Sequence, residues 1–71
     1  MSIESRQKIG SLLKLERRKT GLSQDEIARK SGLTQTTANH LESGDSGFRI
    51  KTLESYVDAL VVAGHAVYQE Y

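Results

Sequence analysis

The sequence predicts an all-α domain of about four helices, organised around a helix-turn-helix, with a short C-terminal β-strand. Three observations carry that reading. Between Gly21 and Gly44 the chain runs cap, helix, Gly, cap, helix, Gly, the punctuation of two short helices joined by a tight turn. Leu53, Tyr56, Val57 and Leu60 recur at i, i+3, i+4 and i+7, a buried helical stripe. Beyond Gly64 the pattern changes to alternation, with Val67, Gln69 and Tyr71 on one face and Ala66, Tyr68 and Glu70 on the other.

The first helix is expected from Glu4 or Ser5 to Lys19. Ile9, Leu12, Leu13 and the stem of Glu16 fall at helical spacing, and Leu15 lies off that stripe, half exposed. Lys and Arg crowd its last turn, where they suit the helix dipole, and Gly21 closes it. Ser23 caps the second helix, and Glu26 three residues on completes a capping box. Ile27 and Ala28 give this helix its apolar face, and Gly32 takes the left-handed position at its end. Leu33 fills the turn and Thr34 caps the third helix, Gln35 to Glu42, with Ala38 and Leu41 facing inward. Gly44 to Gly47 makes a loop, after which Phe48 and Ile50 are expected to return to the core and Thr52 to cap a final helix.

Gly64 is read as a break between a helix-turn-helix domain at 1–64 and a tail at 65–71. A lone strand leaves its backbone groups unpaired, and this chain offers no second strand. Pairing of Ala66, Val67, Tyr68 and Gln69 with their copies across a two-fold axis resolves this and implies a homodimer. Helix continued through Tyr68 is the competing reading.

A helix-turn-helix lays its second helix in the major groove of double-stranded DNA. With Ala38 and Leu41 inward, Gln35, Thr36, Asn39 and His40 share the outer face and are the expected base contacts. Gln can pair with adenine through N6 and N7, and Thr can meet the thymine methyl. Asn39 and His40, one turn on, reach flanking bases or the backbone. Phosphate contacts are expected at the start of the second helix, with Ser23 and Gln24, and from the hydroxyls of Thr37 and Ser43.

At 71 residues the chain is one domain with a marginal core, and it has no cysteine to staple it. Subunit association is the expected source of further stability. The net charge of +1 conceals an asymmetry: residues 1–40 hold eight Lys or Arg against four Asp or Glu, and residues 41–71 two against five. A basic front and acidic back suit a domain that turns one face to phosphates. Neither a signal peptide nor a membrane span is legible, so a cytoplasmic protein is expected. His40 and His65 do not form a ligand pair, and no nucleophile–base pair or glycine-rich phosphate loop is visible. Catalysis, metal and cofactor are therefore not expected.

Gly21-Leu22-Ser23-Gln24, Glu26-Ile27-Ala28, Gly32, Thr34-Gln35 and Leu41-Glu42-Ser43-Gly44 resemble the DNA-binding domains of the lambdoid-phage repressor and Cro class, often called Xre-like. The resemblance extends upstream through Ile9-Gly10, Leu13-Lys14 and Arg17, and covers most of the chain. It implies a five-helix-type repressor fold and a sequence-specific, non-catalytic regulator that binds a palindromic operator as a dimer. It further implies a structural ion pair between Arg17 and Glu42. By the same resemblance Gln24 bonds a phosphate and braces Gln35. Two departures stand out: Ala38 is smaller than the aliphatic residue common there, and Asp45-Ser46-Gly47-Phe48 lacks the usual basic residues, for which Arg49 and Lys51 compensate.

The tail, together with Thr52-Leu53, Tyr56-Val57 and Ala59-Leu60, is similar to HipB- and HigA-type antitoxins of toxin–antitoxin operons. That implies a second role, binding and neutralising a toxin protein. A restriction–modification controller protein of similar size is a third reading.

Overall fold

A computed structural model of the chain describes residues 2–45 and 49–68, the last four by backbone alone. Its described residues form four helices: α1 (Ile3–Thr20), α2 (Gln24–Ser31), α3 (Gln35–Ser43) and α4 (Ile50–Tyr68). Helix α1 starts earlier than the sequence suggests because Ser2 caps it, its hydroxyl accepting from the Ser5 N–H at 3.1 Å. Basic residues Arg17, Arg18 and Lys19 fill the last turn before Gly21, which is left-handed at φ 78°.

The core gathers one face from each helix: Leu13 of α1, Ile27 and Ala28 of α2, Ala38 and Leu41 of α3, and Tyr56, Ala59 and Leu60 of α4. Ile9, Leu22, Leu33 and Leu53 pack at its margin. Helix α3 is thereby pressed against both α1 and α2, while α4 closes the other side of α1 and α2. Gly10 marks a close approach between the middle of α1 and the last turn of α3.

Several expectations are corrected. Leu12 sits 61% exposed, because the core takes Ile9 and Leu13 and α1 turns the flank between them outward. Ile50 is 62% exposed and does not return to the core, since it opens α4 and lies on the side away from Tyr56. Val57 is likewise exposed, one helical step from the buried stripe. Thr52 does not cap α4; the helix starts two residues earlier, with the Leu53 N–H donating to the Arg49 carbonyl at 3.1 Å. Phe48 lies outside the described residues.

The C-terminal strand is the main correction. Ala66, Val67 and Tyr68 continue α4, and Gly64 does not break it. Once a long helix is nucleated, each added residue gains a backbone bond for one residue ordered. A mid-helix Gly costs only about 1 kcal/mol against Ala. A strand at this place would have had no partner strand among the described residues. Gln69, Glu70 and Tyr71 lie outside the described residues.

Candidate nucleic-acid interface

The two helices of the central motif are set by their ends. Ser23 and Glu26 form a complete capping box: the Ser23 hydroxyl accepts from the Glu26 N–H at 3.1 Å, and the Glu26 carboxylate accepts from the Ser23 N–H at 3.0 Å. That backbone donation holds the Glu26 carboxyl below the usual carboxylate range. At the other end of α2, Gly32 is left-handed at φ 72°, and the Leu33 N–H reaches back to the Ala28 carbonyl at 2.8 Å. This tight closure aims the chain directly into Thr34, whose hydroxyl caps α3 by accepting from the Thr37 N–H at 3.2 Å.

The end of α3 is tied to α1 by a buried bidentate pair. Arg17 Nε donates to Glu42 Oε2 at 2.8 Å and Arg17 Nη2 to Glu42 Oε1 at 3.0 Å. Arg17 Nη1 also donates to the Leu22 carbonyl at 2.9 Å, so the same side chain fixes the entry to α2. The Tyr56 hydroxyl donates to Glu42 Oε2 from α4. Burial alone would push the Glu42 carboxyl up; the Arg17 and Tyr56 hydrogen bonds outweigh it and hold the group below its ordinary range. Burial and the adjacent carboxylate push the Tyr56 phenol well up, so it remains a donor. One carboxylate thus joins α1, α3 and α4.

Against that frame, α3 turns a polar face outward. Gln35, Thr36, Asn39 and His40 are exposed. Gln35, Thr36 and Asn39 line one shallow cavity of about 390 Å³ together with Gln24 from the start of α2. His40 lies outside that cavity lining, a turn beyond Thr36 on the same helix. Gln24 does not brace Gln35. Its Nε2 donates to Asn39 Oδ1 at 3.3 Å and to Glu42 Oε1 at 3.4 Å. The smaller Asn, one turn along α3, lies nearer the carboxylate that attracts the amide.

The expected phosphate contacts are more dispersed. Ser23 is exposed, but the capping box engages both its N–H and its hydroxyl, and Asp25 and Glu26 add negative charge to the same turn. This leaves Gln24 and Asp25 with the remaining first-turn N–H groups. Thr37 is half-buried with its hydroxyl 3.0 Å from that of Thr34. Ser43 donates weakly to the His40 carbonyl at 3.3 Å. Arg49 and Lys51 are exposed at the start of α4, not within the cavity.

Sequence reasoning missed two residues of this frame. Tyr56 was legible only as a stripe residue, yet a fully buried tyrosine needs a partner for its hydroxyl, and Glu42 is that partner. Gly10, costly inside a helix, signals a close backbone approach; a Cβ there would meet the Leu41 and Glu42 carbonyls. Among the described residues no group of three His, Cys, Asp or Glu could hold a metal ion. No described helix is long and apolar enough to cross a membrane.

The family model described as Helix-turn-helix (HTH_3) matches residues 13–62, from the second half of α1 through most of α4. No curated protein matches the chain.

Proposed function

The chain belongs to the Xre-like, Cro/C1-type helix-turn-helix family of DNA-binding proteins, and from that premise we propose that it is a sequence-specific repressor binding a palindromic operator as a homodimer. Gln35, Thr36, Asn39 and His40 contact base edges in the major groove. Ser23, Gln24, Thr37, Ser43, Arg49 and Lys51 contact phosphates and set the register. The observation that carries this reading is the exposed, uncharged polar face of α3, held rigidly by a buried ion pair at its far end. A helix anchored in this way presents its first turn with little conformational freedom, which favours base discrimination. Selection of bound sites from random duplex DNA tests it. Enrichment of a two-fold symmetric sequence supports the reading, and equal binding to all sequences refutes it.

The homodimer is supported by α4. Ile50, Val57 and Val61 recur at i, i+7 and i+11 on one face, and Ile50 and Val61 are 62% and 63% exposed. Exposed aliphatic residues on one helix face, with the exposed Glu54 among them, favour a protein partner on a domain with a small core. The same observation supports the second reading, an antitoxin that covers this stripe with a toxin protein. Sedimentation of the isolated protein separates them: self-association at micromolar concentration favours the repressor dimer, and a monomer that gains mass only with a larger partner favours the antitoxin.

A further inference from the structure

Glu42 sends one hydrogen-bond contact out of the core. Its two oxygens accept from Arg17 and Tyr56 inside, and Oε1 also accepts from Gln24 Nε2 at the edge of the cavity. An ionised carboxylate only accepts, so the group of Gln24 that faces it must be the amino group. That amino group has two hydrogens. Glu42 Oε1 lies 3.4 Å and Asn39 Oδ1 3.3 Å from that nitrogen, so it can donate to both. Turning the Asn39 amide over would set two amino groups against each other. Turning the Gln24 amide over would set its oxygen against the carboxylate. Both bonds are long, so it is their polarity more than their strength that orders the pair.

We infer that Gln24 passes the acceptor polarity of Glu42 to Asn39, holding the Asn39 amino group toward DNA so that Asn39 selects an acceptor base edge, guanine before adenine. This rests on the proposal that α3 reads the major groove. Guanine presents two acceptors there, O6 and N7, whereas adenine pairs one acceptor with a donor. Asn39, its oxygen engaged by α2, is matched to the first pattern. Gln35 lines the same cavity without such a brace among the described residues, so its amide turns freely and can take adenine through both groups. Gln24 is a positioning residue in this scheme and Asn39 the specificity determinant.

The test is selection from randomised duplexes with the full chain, its Gln24→Met and Asn39→Asp variants, and melting of each protein alone. The position read by Asn39 is the one whose preference changes in Asn39→Asp. At that position the wild type is expected to favour guanine over adenine by about tenfold. Gln24→Met should bring that ratio close to one while leaving the other positions unchanged. Asn39→Asp, acceptor-only and exposed enough to leave folding intact, should shift the preference to cytosine, whose N4 amino group is a donor. Loss of the Gln24 phosphate contact weakens all sequences alike and leaves the base ratio untouched, so the ratio is the readout. Wild-type preference for adenine at that position overturns the inference, as does a Gln24→Met variant that keeps the guanine preference. A wild type that enriches no sequence refutes the DNA-reading proposal itself, a result distinct from these.

Discussion

Gly10 of α1 lies directly against the backbone of Glu42 at the end of α3: a Cβ built on it would sit 2.5 Å from the Glu42 carbonyl oxygen. The Leu41 carbonyl oxygen would be 2.6 Å away. Both neighbours are backbone atoms of a helix, so no rotamer change relieves the contact. Ala at this position gains about 1 kcal/mol of helix propensity, but must separate α1 from α3. Gly10→Ala is therefore expected to destabilise the fold by about 1–3 kcal/mol net. In a domain this small that is ~4–8 °C of Tm for each kcal/mol. Thermal unfolding checks it, and an unchanged or raised Tm would show that the helices are not locked together here.

The same contact illustrates what the sequence made legible. Caps and left-handed glycines are local signals, so Ser23, Glu26, Gly32, Thr34 and Gly44 could be placed from spacing alone, and the structure has them in those roles. Ile50 and Leu12 could not be placed, because an apolar residue beside a buried stripe is assigned by its neighbours in space. Residues 65–68 show the other limit. Alternation and helical periodicity both fit so short a segment, and the preceding helix decides between them. Of the cavity, Gln35, Thr36 and Asn39 follow from helix geometry. The bond from Gln24 to Asn39 instead of Gln35 depends on where Glu42 sits, and spacing does not show that.

Arg17 and Arg18 are adjacent in sequence and opposite in consequence. Arg17 is buried on Glu42, and Arg18 is exposed. Arg17→Met leaves a buried carboxylate without its counter-ion and is expected to cost about 3–5 kcal/mol. Arg18→Met should stay within about 0.5 kcal/mol. Urea unfolding of both variants gives the comparison, and equal midpoints would remove the ion pair from any structural role.

The ion-pair network also fixes the shape of the pH profile. The folded-state pKa of Glu42 is depressed below the ordinary carboxylate value of 4.5. Its contribution is therefore present above that value and lost as pH falls through the depressed folded value. The phenol of Tyr56 has its folded pKa raised from 10.0, so its contribution holds below pH 10 and is lost as pH rises beyond it. Glu42→Gln should lower stability at neutral pH and flatten the acid limb, and Tyr56→Phe should flatten the alkaline limb. Unfolding free energies measured across both limbs would contradict this if either variant kept the wild-type slope.

On the DNA side, Gln35 and Ser43 should fail differently. Gln35 lines the cavity at the start of α3, where side chains reach base edges. Ser43 sits at the other end, with its hydroxyl near the His40 carbonyl. Gln35→Ala is expected to lose about 1–3 kcal/mol of discrimination at one operator position, whereas Ser43→Ala should weaken all sequences alike. Titration of both variants against the selected site and single-base changes of it reads the difference. A uniform small loss for both would mean that another surface faces the DNA.

The dimer proposal makes the last prediction. If two copies pair through the α4 stripe, the recognition helices are held at a fixed separation, ideally one helical turn of DNA or roughly 34–36 Å. One protomer then binds a half-site weakly, and the second half-site is engaged at high effective concentration. Val61 lies on the stripe and Val62 about 100° around the helix from it, and both are highly exposed at 63% and 70%. Neither should be needed to fold the monomer. Val61→Glu should therefore give a helical monomer that has lost most operator affinity, while Val62→Glu should remain a dimer with near wild-type binding. Sedimentation and operator titration of the pair decide it. If Val61→Glu stayed dimeric and bound the operator as before, the interface would lie elsewhere, and the stripe would be left as the surface for a different protein partner.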